Sequence, residues 1–143
     1  MAAAIDVDAT ISRPPEDVWS VMTDWRNAPR WRGGIDEMRA DGAPVAGTTV
    51  TFRARGKDRS AVITEAEPAR SLVLRSVQGA VAADYTYTLH GAADGSTRVT
   101  LVAECTTQAL GWRLVLPILR FAIRRTDGGQ LEALKAVVEG NGR

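Results

Sequence analysis

The sequence predicts a single α+β domain, a curved antiparallel sheet of short strands followed by a long C-terminal helix. Three observations carry this expectation. Stretches of apolar and polar residues alternate with a period of two, the mark of half-buried strands. Those stretches are joined by tight turns rich in Gly, Pro and Asp, with no helical stretch between the later ones, which argues against a doubly wound parallel sheet. The last part of the chain switches to a helical period.

The elements follow in order. Ile5, Val7, Ala9 and Ile11 share one face of a first strand over residues 4–11, with Asp6, Asp8 and Thr10 opposite. Ser12 offers a cap, and Pro14 and Pro15 suit the entry to a helix whose first turn carries Glu16 and Asp17. Val18, Trp19 and Met22 place that helix at residues 15–23. Residues 24–31 read as a second short turn stopped near Pro29, and Gly33-Gly34 ends it. Strands are expected at 35–39, 48–55, 60–66, 71–77, 81–89 and 97–105. They are separated by the cluster Asp41-Gly42-Ala43-Pro44, a hairpin turn at Gly56-Lys57-Asp58, Glu67-Pro68-Ala69, Gly79, and residues 91–96. The facing of 60–66 is ambiguous because Val62 and Ile63 are adjacent. In the last two strands Val81, Ala83, Tyr85, Tyr87 and Leu89 share one face, as do Val99, Leu101, Ala103 and Cys105.

The stretch from Gln108 to Glu139 has two parts. At about 100° per residue, Leu110, Leu114, Ile118 and Phe121 fall in one arc, with Arg113, Arg120 and Arg124 gathered in a separate stripe. After Gly128-Gly129 the apolar residues Leu131, Leu134, Val137 and Val138 occupy a rotated face. Either the helix kinks or changes partners at the glycines, or it begins only after Pro117. The first part is apolar around most of its circumference. That excess either lines a cavity, buries a loop or forms a dimer contact.

The totals bound the function. The chain has 143 residues, enough for one domain with its own core, 1–143. A net charge of +1 supplies no general field toward nucleic acid or anionic membrane, so no nucleic-acid partner is expected. No run of about 18 apolar residues exists, so no membrane span is expected. The N-terminus lacks a basic region, and Asp6 and Asp8 interrupt any apolar one, so no signal peptide is read. A single cysteine, Cys105, makes no intramolecular disulfide, and the default compartment is cytoplasmic.

Several short patterns, taken in order, resemble the START-like or SRPBCC superfamily with its helix-grip fold, in the polyketide cyclase/dehydrase-like branch. The entry from Ile11 to Trp19, I-S-R-P-P-E-D-V-W, resembles the family's strand-to-helix entry, and Asp24, Pro29 and Trp31 its following D…P…W pattern. Glu65, Pro68, Arg70 and Leu72 resemble a strand turn of the family, Gly95-Ser-Thr-Arg-Val99 its last hairpin, and Leu131 to Glu139 its closing helix. The resemblance covers nearly the whole chain. It implies a seven-stranded antiparallel sheet gripping the C-terminal helix over a hydrophobic cavity. It does not imply one activity, because this fold hosts carriers, cyclases, dehydratases and co-chaperones.

Chemistry-bearing residues are few. The one histidine, His90, stands directly before the turn glycine Gly91 and reads as a solvated turn residue. Cys105 reads as a buried small hydrophobe. No G-x-S-x-G elbow, phosphate loop or zinc-ligand spacing exists, so no metal and no cofactor is expected. The arginine stripe reads as the wet face of a helix. Aromatic groups are the stronger signal, since they line most small-molecule pockets. Trp25 and Trp31 sit in the irregular segment at the expected pocket rim, and Trp112 opens the terminal stretch. Phe52, Tyr85, Tyr87 and Phe121 point to the same interior, with Ile118 beside them. For each, core packing competes with ligand contact. Glu65 joins Ala61 and Ile63 on the inner face if that strand alternates strictly. Tyr85, Tyr87 and Glu65 are therefore the candidate acid/base groups. The expected function is binding of a hydrophobic small molecule (a lipid, polyketide or isoprenoid-like compound). The alternatives are a polyketide aromatase/cyclase or dehydratase, and a dimerisation or interaction module using residues 110–123, with a homodimer as the expected partner in that case.

Overall fold

A computed structural model describes residues 5–32, 35–78, 81–107 and 129–141. Seven strands form one antiparallel, unclosed sheet: β1 (Ile5–Ile11), β2 (Ile35–Ala40), β3 (Thr49–Ala54), β4 (Lys57–Glu67), β5 (Ser71–Gln78), β6 (Val81–Gly91) and β7 (Thr97–Thr107). Their spatial order is β1-β7-β6-β5-β4-β3-β2. The chain thus starts at one edge, crosses to the other between β1 and β2, and meanders back until β7 pairs with β1. The crossing carries α1 (Pro15–Thr23), a 3-10 turn (Trp25–Asn27) and α2 (Ala28–Trp31). The C-terminal helix, α3 (Gln130–Asn141), packs against β1, β7, α1 and α2. This is the antiparallel sheet and C-terminal helix that the alternation and the final helical period predict.

Burial follows the predicted faces. Ile11, Val50, Ile63, Leu72, Tyr87, Val99 and Leu101 are inaccessible to solvent on the inner face of the sheet. Leu131, Leu134, Val137 and Val138 cover them from α3. The helix begins after Gly129, whose carbonyl accepts the Ala133 amide at 3.2 Å. Residues 108–128, and with them Trp112, Ile118, Phe121 and the expected dimer surface at 110–123, lie outside the described residues. At its far end Glu139 Oε2 accepts the Ser12 amide at 2.9 Å, fastening the helix to the loop after β1.

Local details correct several expectations. Ser12 does not cap α1; Pro14 takes the cap position, with no side-chain cap bond, and Pro15 begins the helix. Pro29 does not stop the second turn. It lies in the first turn of α2, where its missing N–H costs nothing. The β3–β4 hairpin turns on Arg55-Gly56, with φ of 53° and 77°, because Ala54 already pairs with Lys57. Two positive φ values match the twist of a two-residue hairpin. Gly56→Ala therefore forces a left-handed alanine, and urea denaturation should show a loss of about 1–2 kcal/mol.

In β4 the register slips between Ile63 and Glu65. Thr64 is the extra residue of a bulge, so the inward set is Ala61, Ile63 and then the half-buried Ala66. Glu65 is left exposed on the strand instead of joining the inner face. Strict alternation fails because one added residue inverts every later side chain.

Candidate functional site

The site is built where the crossing segment meets α3 under the sheet. Asp24 starts the 3-10 turn by accepting the Arg26 amide and pairing with its guanidinium through Nε and Nη2, at 2.9 and 3.0 Å. That hydrogen-bonded Arg26 partner holds the Asp24 carboxyl below the usual aspartate range. A lowered native pKa means that this stabilisation is present above the unfolded-state pKa and is lost as pH falls through the native one. A carboxyl-carbon NMR titration should place the Asp24 midpoint below that of an unstructured aspartate.

The 3-10 turn and α2 then deliver Trp31 and Arg32. The Arg32 amide closes α2 on the Ala28 carbonyl at 2.8 Å, and the backbone becomes extended at Arg32, with φ of −98° and ψ of 109°. Both side chains enter the interior; Trp31 is 2% exposed and Arg32 6%. Tyr87, completely buried, meets them from β6. The Trp31 and Tyr87 rings pack edge to face, with centroids 6.0 Å apart and an interplanar angle of 79°. The Arg32 guanidinium carbon lies 4.1 Å from the Trp31 ring centroid and 5.1 Å from that of Tyr87. Both contacts are within cation–π range.

One continuous hydrogen-bonded chain joins the three elements. Arg32 Nη1 donates to the Tyr87 hydroxyl at 2.7 Å, and that hydroxyl donates to Gln130 Oε1 at 2.7 Å. Gln130 is the first residue of α3 and is itself buried. Arg32 Nε and Nη2, and Trp31 Nε1, are buried donors without a hydrogen-bond partner among the described residues. Orphaned donors of this kind are uncommon in folded proteins, and each calls for a physical account.

The other candidate residues fall as follows. Trp25, Phe52 and Tyr85 are partly buried and packed against the core. Trp19 has the same setting, as a residue that packs its helix on the sheet. Cys105 is buried, as its strand phase predicts. His90 and Gly91 line a separate surface cleft with Pro15, Glu16, Pro68, Ala69, Arg70 and Leu89, about 470 Å³ in volume. None of Trp31, Arg32, Tyr87 or Gln130 lines it. Among the described residues no three His, Cys, Asp or Glu side chains group as metal ligands, and no helix is long and apolar enough to cross a membrane.

Two members of the site escaped the sequence reading, Arg32 and Gln130. Gln130 carried a signal: it stands four and seven residues before Leu134 and Val137, on the apolar face of α3. A polar residue in that phase is a buried polar residue. Arg32 carried none. It follows Arg26 and Arg30 in a charged segment, and only the extended backbone after α2 turns it inward.

Known proteins share this architecture. A structure of the ZhuI aromatase/cyclase from a Streptomyces species superposes with a TM-score of 0.76 at 15% identity, over 96% of this chain and 94% of that one. A protein of Thermus thermophilus gives 0.73 at 16% identity, over 97% and 99%. The di-domain aromatase/cyclase BexL gives 0.71 at 19% identity, over 94% of this chain and 45% of that one. At such identities the likeness speaks for the helix-grip fold alone. None of the curated proteins matches the chain by sequence. The family described as polyketide cyclase / dehydrase and lipid transport, however, matches residues 2–139. An unclosed seven-stranded sheet gripping a C-terminal helix, matched to that family over nearly its whole length, makes this chain a member of the polyketide cyclase/dehydrase and lipid transport family, within the SRPBCC superfamily.

Proposed function

We propose that this protein binds a hydrophobic small molecule, a lipid, polyketide or isoprenoid-like compound, between its sheet and its C-terminal helix. The observation that carries the reading is the buried Arg32–Tyr87–Gln130 chain with its leftover donors, set among the apolar side chains of the core. A core built only for stability has no use for a guanidinium, because burying a charge is costly and an apolar side chain of the same volume packs as well. A binding site does have a use for it. Apolar walls supply affinity, and a few convergent polar groups set the orientation of what enters. Trp31, Trp25, Phe52 and Tyr85 belong to the same reading as wall residues, with Tyr87 the tyrosine whose hydroxyl holds Arg32 in place.

The test is native mass spectrometry of the freshly purified protein. A discrete non-covalent adduct, extractable into organic solvent, is the expected result. Protein of the bare mass, together with no tryptophan fluorescence response to any apolar probe, would remove the reading.

A second reading, catalysis of a polyketide cyclisation or dehydration, is favoured by the family and by the aromatase/cyclases among the structural neighbours. On this chain Tyr87 is the acid/base candidate whose hydroxyl sits between a cation and an amide, and Arg32 the group that would steady negative charge on a carbonyl oxygen. Turnover of a poly-β-keto chain by wild type, abolished in Arg32→Met while binding persists, would select this reading over simple carriage.

A further inference from the structure

We propose that Arg32 and Trp31 receive the carboxylate of an apolar carboxylic acid, so that the ligand is a monoanionic amphiphile and not a neutral hydrophobe. This rests on the ligand-binding reading above and names its ligand class.

The two edges of the Arg32 guanidinium differ. Arg32 uses Nη1 on Tyr87, which leaves the Nε/Nη2 edge. That edge is the one that grips carboxylates elsewhere in this chain. Arg26 holds Asp24 through Nε and Nη2 at 2.9 and 3.0 Å, and Arg75 holds Asp84 through the same two atoms at 2.8 and 2.9 Å. Two parallel N–H donors match the two oxygens of a planar carboxylate. In Arg32 the matching edge is buried, and among the described residues no acidic side chain forms an ion pair with it. The contrast with Arg26, Arg53, Arg75 and Arg98 is direct: those four reach water and have aspartate partners, while Arg32 is buried and has no such partner among the described residues.

An arginine keeps its charge inside a protein, so it cannot escape burial by losing a proton. Ring faces of Trp31 and Tyr87 offset part of the lost hydration. They accept nothing from Nε or Nη2. An anion from outside the chain completes the site, and Trp31 Nε1 offers it a third donor.

The charge count sets the class. One buried cation balances one negative charge. Among the described residues no second arginine or lysine is buried beside Arg32, so a phosphate dianion lacks there the second cation it calls for. The surrounding inner face, Val50, Ile63, Leu72, Leu74 and Leu101, is apolar and suits a hydrocarbon body. Tyr87 and Gln130 hold Nη1 in place, and so fix the direction in which the free edge points. These are positioning residues for the anion; Arg32 and Trp31 are the contacts.

Calorimetric titration with decanoate and with decanol tests this. Hydrogen bonds to a charged group predict that wild type favours decanoate by about tenfold or more. Arg32→Met should erase the preference while leaving decanol affinity in place. Arg70→Met, in the surface cleft, should leave the preference unchanged. Equal binding of the two probes to wild type would overturn the carboxylate assignment and spare the ligand-binding reading. Binding of neither would overturn both. A preference that Arg70→Met abolishes would also overturn it, by moving the anion to the surface. Should Arg32→Met not fold, as judged by circular dichroism, the wild-type preference and the indole N–H signal of Trp31 decide the matter. That signal must shift with decanoate and stay still with decanol; the reverse pattern contradicts the assignment.

Discussion

Replacing Tyr87 with phenylalanine should destabilise the protein by about 1–3 kcal/mol for each partner that loses its bond. The ring stays, so the edge-to-face contact with Trp31 and the packing on the sheet are preserved. What goes is one oxygen that both accepts from Arg32 and donates to Gln130. Its removal strands a buried guanidinium N–H and a buried amide oxygen together. A stability of about 5–15 kcal/mol is typical of a domain, so the loss should be plain in urea denaturation and in a lowered melting temperature. The double variant Tyr87→Phe, Gln130→Leu should recover part of it. Leucine leaves no orphaned acceptor and continues the apolar face that Leu131, Leu134 and Val137 already form. No recovery would mean that Gln130 has other buried obligations.

Leu134→Ala is the second large effect. Leu134 is completely buried at the centre of α3, where the helix meets the sheet. Deleting its branched end removes transfer energy and leaves a cavity, for a loss of about 2–5 kcal/mol. The helix also holds Gln130 against Tyr87, so the cost should reach the site. Addition of a tight-binding apolar ligand should restore part of the lost stability, because a ligand that binds only the folded state raises its apparent stability by mass action. A variant as stable as wild type would show that α3 is dispensable to the fold.

Much of this architecture is legible in the sequence because the rules that fix it are local. Alternation along β1, β6 and β7 sets which side chains are buried, and it places Tyr87 and Cys105 inside correctly. Residues 15–23 announce their helix through Pro15, two early acids and the spacing of Val18 and Met22. Turn signals separate the strands. The failures occur where one residue breaks a period. Thr64 bulges out of β4 and carries Glu65 to the exposed face, and nothing in the composition of I-T-E marks the slip. Pro29 reads equally well as the end of a helix and as the first turn of one; in the fold Asn27 takes the cap position and Pro29 falls in the first turn of α2.

The site was half legible, and the missing half is physical in origin. Aromatic residues in a core-facing phase are visible, so Trp31, Phe52, Tyr85 and Tyr87 could be nominated. Pairings between elements distant in sequence are not. Arg32 and Tyr87 are separated by 55 positions, Tyr87 and Gln130 by 43. Each pairing depends on the sheet order bringing β6 beneath both the crossing segment and α3. Arginine in a charged segment is ordinarily solvated, and its burial here follows from the backbone turning extended directly after Trp31. Gln130 alone was within reach, as a polar residue on an apolar helix face.

The proposed function puts an apolar ligand in the interior around Arg32, Tyr87 and Gln130. Two-dimensional amide NMR of the uniformly labelled protein, titrated with decanoate, tests this most directly. Saturable shifts are expected at the Trp31 indole N–H and at the backbone amides of Trp31, Arg32, Tyr87 and Gln130, with His90 and Gly91 in the surface cleft unmoved. Shifts confined to His90, Gly91 and Arg70, or none at any of these residues at saturating probe, would contradict it.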